Sequence, residues 1–449
     1  MFLNNFRAKN IYRLFNFNLE LNKNLNIIIG PNGNGKTTVL KIILAIFNLD
    51  YVFLSKLKFE EIYIDFTHED FDKLVDLKIS NFNEINNTIK FDIYSCVLNT
   101  NYQVVIRDSK LFEINYYNEE ENKENAILSL GKPMFLGLDR RFVFENNKDD
   151  KNSKDNKILI NSYLFDKFID KNDDPLSNII ELIKSHALAN RTKSFKANTQ
   201  LRNNLIRNLL EKNEEKFKPN LYIEIYKASE KYEKVKKSLN SVSLGKDIHD
   251  LITQRLQEYA DLSDVLKGIV DLSNTSEQEA EDQFNELKAS IKEEFIDYER
   301  LNKILDLLEK YTERNNEIFH KINLFQELIN RFFVDTDKTL FIDFEGTLKV
   351  RSNQVRYDTS ILSSGERQLV ILIGNLIFNR EMLKNRIFII DEPELSLHIS
   401  WQEMFIDTLL QGQNDIQLIF ATHSPAIVSK YDDCLMTVND SEMYFSKDC

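Results

Sequence analysis

Residues 30–38 have the composition of a phosphate-binding loop. They read GPNGNGKTT, which fits the pattern G-x-x-x-x-G-K-[ST], and they follow a short apolar segment, residues 26–29, that we predict to be a buried strand. The glycines of such a loop let backbone N–H groups turn towards phosphates, the lysine brings a positive charge to them, and the next hydroxyl can bind Mg²⁺. We therefore predict a nucleotide site formed by Gly30, Pro31, Asn32, Gly33, Asn34, Gly35, Lys36, Thr37 and Thr38, with Thr37 on Mg²⁺.

Two later apolar segments end in side chains that can act on a bound phosphate. Residues 387–390 read IFII and precede Asp391 and Glu392, and residues 417–421 precede Thr422 and His423. A carboxylate at the end of a buried strand can hold Mg²⁺, which suits Asp391, and Glu392 can polarise the attacking water. A lone histidine at a strand end is usually structural, but His423 follows the carboxylates by about thirty residues, where we expect a sensor of the γ-phosphate.

A fourth segment combines a helix start with serine hydroxyls. Residues 361–368 read ILSSGERQ, in which Ser363 is predicted to cap the helix and Glu366 to return the contact in a capping box. The same exposed N–H groups make a helix N-terminus an anion site, so capping does not exclude phosphate binding. We predict that this site comprises Ser363, Ser364, Gly365 and Glu366.

The order of apolar patterns indicates how these segments are positioned. Residues 1–50 predict two strands, a loop and a helix, and residues 52–145 carry short Ile, Phe, Tyr and Val runs typical of an antiparallel sheet. Residues 158–332 show helical spacing of apolar side chains, for example at Ile304, Leu308 and Tyr311. Strands are predicted again at residues 340–344 and 347–350. We expect one head domain in two lobes, residues 1–157 and 333–449, with a helical insertion at 158–332 between them. The insertion is expected to include an antiparallel helical hairpin, which could be a coiled coil.

Taken in order, the segments GPNGNGKTT, LSSGERQ, IIDEPELSLH and FATHSP resemble the ABC-type ATPases, above all the branch of SMC, RecF and break-repair heads. The resemblance covers residues 1–50 and 335–435. It implies an α/β fold, an ABC-type ATPase head with a P-loop mixed sheet and an antiparallel β region. It also implies ATP and Mg²⁺ as ligands, sandwiched between two heads.

Carried over by position, the resemblance assigns each segment a role. Residues 30–38 are then the Walker A loop, Asp391 and Glu392 the Walker B pair, residues 395–398 the D-loop, and His423 the switch histidine. Residues 363–366 become the signature that contacts the γ-phosphate on a partner copy. Hydrolysis should then require a homodimer or a higher oligomer.

The sequence departs from that family at the Q-loop, whose glutamine has no match. Residues 133–142 occupy its place and resemble the strand-plus-arginine element of ATPases from prokaryotic anti-phage systems: PARIS-type, Septu and retron-associated. Arg140 and Arg141 are candidates for contact with a phosphate or a neighbouring subunit, and a surface salt bridge explains them equally well.

The insertion carries a local positive stretch in an acidic chain. Net charge is −13, which argues against a dedicated duplex-DNA reader. Residues 182–210 nevertheless contain no acid, whereas their basic residues are Lys184, Arg191, Lys193, Lys196, Arg202 and Arg207. This stretch could meet DNA, RNA or an acidic protein partner, or it could be a solvated helix face.

Composition also bears on the compartment. The three cysteines are scattered, which indicates a reducing environment, and the N-terminus lacks the pattern of a secretory signal. The longest apolar run, near residues 369–378, is too short to cross a bilayer. We expect a cytoplasmic protein without membrane contact.

Three functions remain open from the sequence. The favoured one is an ATPase that acts as sensor or scaffold of an anti-phage complex and controls a separate effector protein, because His186, His249 and His320 are isolated and no nuclease site is visible. The alternative is a DNA-repair or chromosome-maintenance ATPase that acts on DNA. A transporter nucleotide-binding subunit is third, disfavoured by the large insertion and the departure from LSGGQ.

Overall fold

A computed structural model describes residues 1–71, 74–85, 87–98, 100–108, 110–117, 127, 130, 133–136, 174–210, 221–239, 246–272, 295–379, 386–412 and 415–438. The chain divides into two compact units, one of Met1–Lys184 with Leu324–Cys449 and the other of Ser185–Asn323. Within the described ranges no helix has both the length and the apolar character needed to cross a membrane.

A parallel sheet at the centre of the first unit carries the predicted loop and acids. Its strands are β3 (Leu25–Ile29), β9 (Met134–Leu136), β13 (Ile387–Asp391), β14 (Gln417–Ala421) and β15 (Leu435–Thr437), in the order β15-β3-β14-β13-β9. All four pairings among them are parallel. Every residue of β13 and β14 is buried, as expected for a sheet covered on both faces. Because parallel strands end at one edge, the loops after β3, β13 and β14 meet there.

An antiparallel sheet forms the other layer of this unit. It runs in the order β2-β1-β4-β5-β6-β7-β8, with strands β1 (Phe2–Ile11), β2 (Phe15–Glu20), β4 (Glu61–Thr67), β5 (Val75–Ile85), β6 (Thr88–Ser95), β7 (Thr100–Arg107) and β8 (Lys110–Tyr116). The antiparallel region expected after residue 52 is therefore confirmed. Antiparallel pairing is confined to this sheet and a small C-terminal one, so the described part of the P-loop sheet is parallel throughout.

Helix α1 (Lys36–Asn48) joins the two sheets and is followed by the short α2 (Tyr51–Lys56). Ile42 and Ile43 of α1 are fully buried in one apolar core with Phe6 of β1 and Ile389 of β13. A helix that is apolar on nearly all sides fits only such a fully covered position. This packing fixes the first turn of α1, and with it the phosphate loop, against the end of the parallel sheet. The α/β head predicted from the sequence is confirmed.

The C-terminal part of this unit adds a three-stranded sheet and three helices. The strands are β10 (Lys338–Ile342), β11 (Leu348–Ser352) and β12 (Val355–Tyr357), and the helices are α8 (Ser364–Phe378), α9 (Ile399–Gly412) and α10 (Pro425–Val428). The predicted strands at 340–344 and 347–350 lie within two residues of β10 and β11. Strand β12 was missed, because all three of its residues are exposed and show no apolar period.

The second unit is helical and has its own core. The helices of the middle region are α3 (Pro175–Leu210), α4 (Leu221–Tyr226), α5 (Ala228–Leu239), α6 (Lys246–Leu272) and α7 (Phe295–Phe333), and α3 and α7 each belong to both units. Leu256 of α6 and Leu305 and Leu308 of α7 are fully buried in this core. Ile304 and Tyr311 lie in it as well, which confirms the helical spacing predicted for α7.

Candidate ATP site

The glycines of residues 30–38 adopt backbone conformations that side chains rarely allow. Gly30, Gly33 and Gly35 have φ values of 153°, 88° and 83°. Gly35 caps α1, and a Cβ there would lie 2.7 Å from a ring carbon of Phe17. Since both space and φ exclude a side chain, Gly35 is required for this loop shape. Phe15 stacks on Phe17 with ring centroids 5.9 Å apart, so an aromatic pair of β2 supports the loop from below.

Lys36 is held at the centre of the loop. It is only 5% exposed, and its Nζ donates to the carbonyl oxygens of Gly30 and Pro31 at 2.9 and 3.1 Å. Nζ also lies 2.6 Å from Nε2 of His423, and which of the two nitrogens donates depends on the tautomer of the imidazole. Burial lowers the pKa of Lys36, and the nearby Glu392 is the strongest opposing influence. A phosphate would replace the weak carbonyl partners with a charged one.

Thr37 and Asp391 form the pair expected of a magnesium site. Thr37 Oγ1 donates to Asp391 Oδ1 at 3.2 Å, and Asp391 Oδ2 is buried with no hydrogen-bond partner among the described residues. Burial has the largest effect on the pKa of Asp391, which is raised from its ordinary 3.8 to about 6. The hydrogen bond from Thr37, which lowers the pKa, and the neighbouring charges have smaller effects. A buried carboxylate oxygen without a hydrogen-bond partner, next to a hydroxyl group, suits a divalent cation, because the charge of the cation would compensate that of the carboxylate. Within the described ranges no cluster of three or more His, Cys, Asp or Glu could hold a metal.

Glu392 and His423 face each other across the edge of the sheet. Glu392 Oε1 lies 3.8 Å from His423 Nε2, and their side chains are 23% and 32% exposed, so water can reach both. Glu392 has φ 47°, a strained conformation for a non-glycine residue. Its N–H donates to Ala421 O at 2.8 Å, which fixes the strained turn to β14. The structure thus brings together Lys36, Glu392 and His423, all three predicted from the sequence.

The predicted signature has the expected capping box and an unexpected partner. Ser363 Oγ accepts from the N–H of Glu366 at 3.3 Å, and Glu366 Oε2 accepts from the N–H of Ser363 at 2.6 Å. Glu366 is 2% exposed, and Lys338 of β10 donates to both of its oxygens at 3.0 and 2.9 Å. The carboxylate therefore shapes the helix start, while Ser363 and Ser364 remain exposed. No hydrogen bond among the described residues joins residues 363–366 to the loop at 30–38.

Sequence reasoning missed Glu394 and Lys338. Glu394 Oε1 accepts from the backbone N–H of His423 at 2.6 Å, although the two residues are 29 positions apart. Glu394 is the third acid of the motif DEPE, but nothing in the spacing of that motif indicates the contact. Lys338 likewise lies 28 positions from its partner Glu366, in a strand whose own pattern is unremarkable.

The remaining predicted residues fall in two groups. Arg140 and Arg141 lie outside the described residues and stay a prediction; the strand before them, β9, pairs through Leu136 with Ile390. The six basic residues of the positive stretch, Lys184, Arg191, Lys193, Lys196, Arg202 and Arg207, lie on α3 and are all exposed. Their exposure is compatible with binding and with a solvated face alike.

Two curated proteins resemble the chain over part of its length. The Retron Vc95 probable ATPase of Vibrio cholerae serotype O1 biovar El Tor is 30% identical over 208 residues, 38% of this chain and 40% of that protein. The Retron Ec83 probable ATPase of Escherichia coli is 33% identical over 94 residues, 19% of this chain and 17% of that protein. The chain thus matches less than half of either relative. They confirm the predicted resemblance to retron-associated ATPases.

Similarity to solved structures is broad but weak. The Smc head domain with an extended coiled coil from Pyrococcus furiosus aligns with 95% of this chain and 91% of its own, at 14% identity and a TM-score of 0.39. The Smc head with a coiled coil and joint from Pyrococcus yayanosii gives 15% identity and 0.39, over 96% and 94%. A likeness at this level carries no argument, so the fold assignment depends on strand order and on the placement of the motifs.

The sequence profile of the AAA ATPase domain family matches residues 1–428, nearly the whole chain. The match includes the loop at 30–38, the acids after β13 and the histidine after β14, which the fold brings to one sheet edge. The chain therefore belongs to the AAA ATPase domain family.

Proposed function

We propose that the chain hydrolyses ATP at sites completed between two copies of itself. The observation that carries this proposal is the single cluster in which Lys36, Glu392 and His423 meet beside the Thr37–Asp391 pair. Lys36 would leave the carbonyls of Gly30 and Pro31 for the β- and γ-phosphates. Its contact with His423 would then be exchanged for one in which both side chains face the γ-phosphate.

The water that attacks the γ-phosphate is assigned to Glu392. Its carboxylate is partly exposed and lies at the edge where the γ-phosphate would end, so it can orient a water and accept its proton. His423 would donate to the γ-phosphate as charge develops on it. Thr37 and Asp391 would hold Mg²⁺, which when bound neutralises charge on the β- and γ-phosphate oxygens.

The signature residues are assigned to the ATP of a second copy. Ser363 and Ser364 are exposed at the N-terminus of the 15-residue helix α8, and no hydrogen bond among the described residues connects them to the loop of their own chain. A helix start with free N–H groups is suited to a γ-phosphate. The test is ATP-dependent assembly: Glu392→Gln should form stable dimers or larger oligomers with ATP in light scattering. A variant that binds ATP and stays monomeric at all concentrations would contradict shared sites.

We further propose that this ATPase is the sensor or scaffold subunit of a cytoplasmic anti-phage complex and controls a separate effector protein. The two retron relatives support this role, although their similarity covers only part of each protein. Affinity purification of the tagged chain, expressed with its neighbouring genes, should recover a second protein in an ATP-dependent ratio. Recovery of the chain alone, with and without ATP, would count against the role.

A DNA-directed ATPase is the second candidate, favoured by the six exposed basic residues on α3. Arg191→Glu with Arg202→Glu should then weaken DNA binding and flatten its salt dependence, because each lost phosphate contact reduces counterion release. The matched control is Lys9→Glu with Lys110→Glu, two exposed lysines of the antiparallel sheet. DNA-stimulated turnover in the wild type that is lost only in the α3 variant would favour this candidate over the sensor role.

A further inference from the structure

We propose that Glu394 is the positioning residue of the switch histidine: its carboxylate holds the backbone of His423 and thereby sets the imidazole between Lys36 and Glu392. This inference deepens the proposed ATPase function and rests on it for its effect on turnover. The contact itself can be tested without ATP.

The carboxylate of Glu394 accepts the first backbone N–H after β14 that no longer donates to a neighbouring strand. The N–H of Thr422 still donates to Ile28 O of β3 at 3.2 Å, but the next N–H, that of His423, has Glu394 Oε1 as its acceptor at 2.6 Å. A hydrogen bond to an ionised carboxylate is shorter and roughly twice as strong as one between neutral groups. Glu394 therefore fixes the residue at which the chain leaves β14.

The ring of His423 depends on that fixed backbone. Its two polar contacts among the described residues, to Lys36 at 2.6 Å and to Glu392 at 3.8 Å, both involve Nε2. Within the same ranges Nδ1 has no partner to set the orientation of the ring, as second contacts to histidines usually do. Among the described residues, the direction of Nε2 is thus determined by the backbone at 423 and by the side chains of Lys36 and Glu392.

A second bracket holds the same two segments together. Ser424 Oγ donates to Gln402 Oε1 at 2.5 Å, and Gln402 Nε2 donates to the carbonyl oxygen of Leu397 at 2.9 Å. Gln402 Nε2 also reaches Glu394 O at 3.4 Å. Hydrogen bonds of both Glu394 and Gln402 therefore connect the turn after Glu392 with the turn after β14. The relative position of the two turns is fixed by several contacts and does not depend on a single one.

The rival role for Glu394 is that of a third metal ligand. Within the part of the chain that the structure describes, its Oε2 is buried and has no hydrogen-bond partner, as a ligand oxygen would be before the cation binds. The two roles differ in what they predict: a ligand sets the Mg²⁺ requirement, whereas a positioning residue acts through His423 and has no further effect once that ring is removed.

The experiment compares Glu394→Ala, Glu394→Gln, His423→Ala and the double variant Glu394→Ala/His423→Ala. If Glu394 positions His423, Glu394→Ala lowers kcat roughly tenfold or more with ATP affinity within about threefold of wild type. Glu394→Gln, which keeps an acceptor oxygen, recovers most of that loss, and the double variant turns over no more slowly than His423→Ala. Glu403→Gln, an exposed acid of α9, is the matched control and should behave as wild type.

Additive losses in the double variant, or a raised Mg²⁺ concentration for half-maximal activity in Glu394→Gln, would overturn the proposal in favour of the metal ligand. Wild-type kcat in Glu394→Ala would overturn it outright. An independent readout is the ¹⁵N spectrum of the His423 ring in nucleotide-free protein, which should change in Glu394→Ala and not in Glu403→Gln. A wild-type enzyme without ATPase activity would refute the proposed function, whereas an unchanged ring spectrum in Glu394→Ala would refute the positioning role alone.

Discussion

The buried carboxylate of Asp391 should destabilise the folded protein when nucleotide and metal are absent, compared with a variant that has no charge at this position. Asp391 is 3% exposed, one of its oxygens has no partner within the described ranges, and burial raises its pKa from 3.8 to about 6. Because the folded pKa lies above the unfolded one, the ionised form is penalised in the folded state once the pH exceeds the unfolded pKa. The difference between the two pKa values corresponds to about 3 kcal/mol at pH 7.5 and about half of that at pH 5.

Asp391→Asn removes this charge and keeps an oxygen that can accept from Thr37. We expect its melting temperature in excess chelator, without nucleotide, to exceed that of the wild type by roughly 3–6 °C at pH 7.5 and by less at pH 5. Differential scanning fluorimetry at both pH values measures this. Asp415→Asn is the control, because Asp415 is exposed near the start of β14 and its loss should change stability by less than about 0.5 kcal/mol.

Mg²⁺ and ATP should reverse the order of stability. The wild type gains binding energy through Asp391, and Asp391→Asn loses most of it. Equal melting temperatures in chelator at both pH values, or a less stable Asp391→Asn variant at pH 7.5, would refute the account of a carboxylate held at a cost for its ligand.

Four further variants test separate parts of the site. Lys36→Ala should weaken ATP binding at least about a hundredfold in calorimetry, and an unchanged Kd would sink the phosphate-loop assignment. Glu392→Gln should bind ATP normally but slow phosphate release about a hundredfold or more; normal turnover would remove it as the base. Gly35→Ala should lower stability by about 1–3 kcal/mol in urea unfolding, since its Cβ would meet Phe17 at 2.7 Å and its φ is 83°. Lys338→Met should slow turnover without changing ATP affinity, because it leaves the buried carboxylate of the signature unpaired; turnover at the wild-type rate would separate the ion pair from function.

The convergence of the motifs could be predicted from the sequence because it follows from local rules. Three apolar segments, now β3, β13 and β14, each end in polar residues, and parallel strands present those ends at one edge. The capping box of α8 is equally local, since its two members are three residues apart. The spacing of apolar residues, the residues that end strands and begin helices, and the residue types at those positions are sufficient to predict both features.

Other features depend on tertiary placement, which spacing does not encode. Glu394 reaches His423 only because β13 and β14 are neighbours in register, with Asp391 opposite Ala421. Lys338 meets Glu366 only because β10 lies beside the start of α8. The positive φ of Glu392 is a strain that residue propensity argues against, so sequence reasoning could not propose it.

The central claim is that each ATP lies between two copies, and mixing two inactive variants tests it most directly. Lys36→Ala disables the phosphate loop and leaves the signature intact. Ser364→Arg leaves the loop intact and blocks the signature; Ser364 is exposed, and the helix cap is its neighbour Ser363. Each variant alone should be inactive. Mixed in equal amounts, a dimer should recover about a quarter of wild-type turnover, since half the dimers carry one intact site of two. Failure of the mixture to recover activity, although both variants fold and associate, would contradict the shared site.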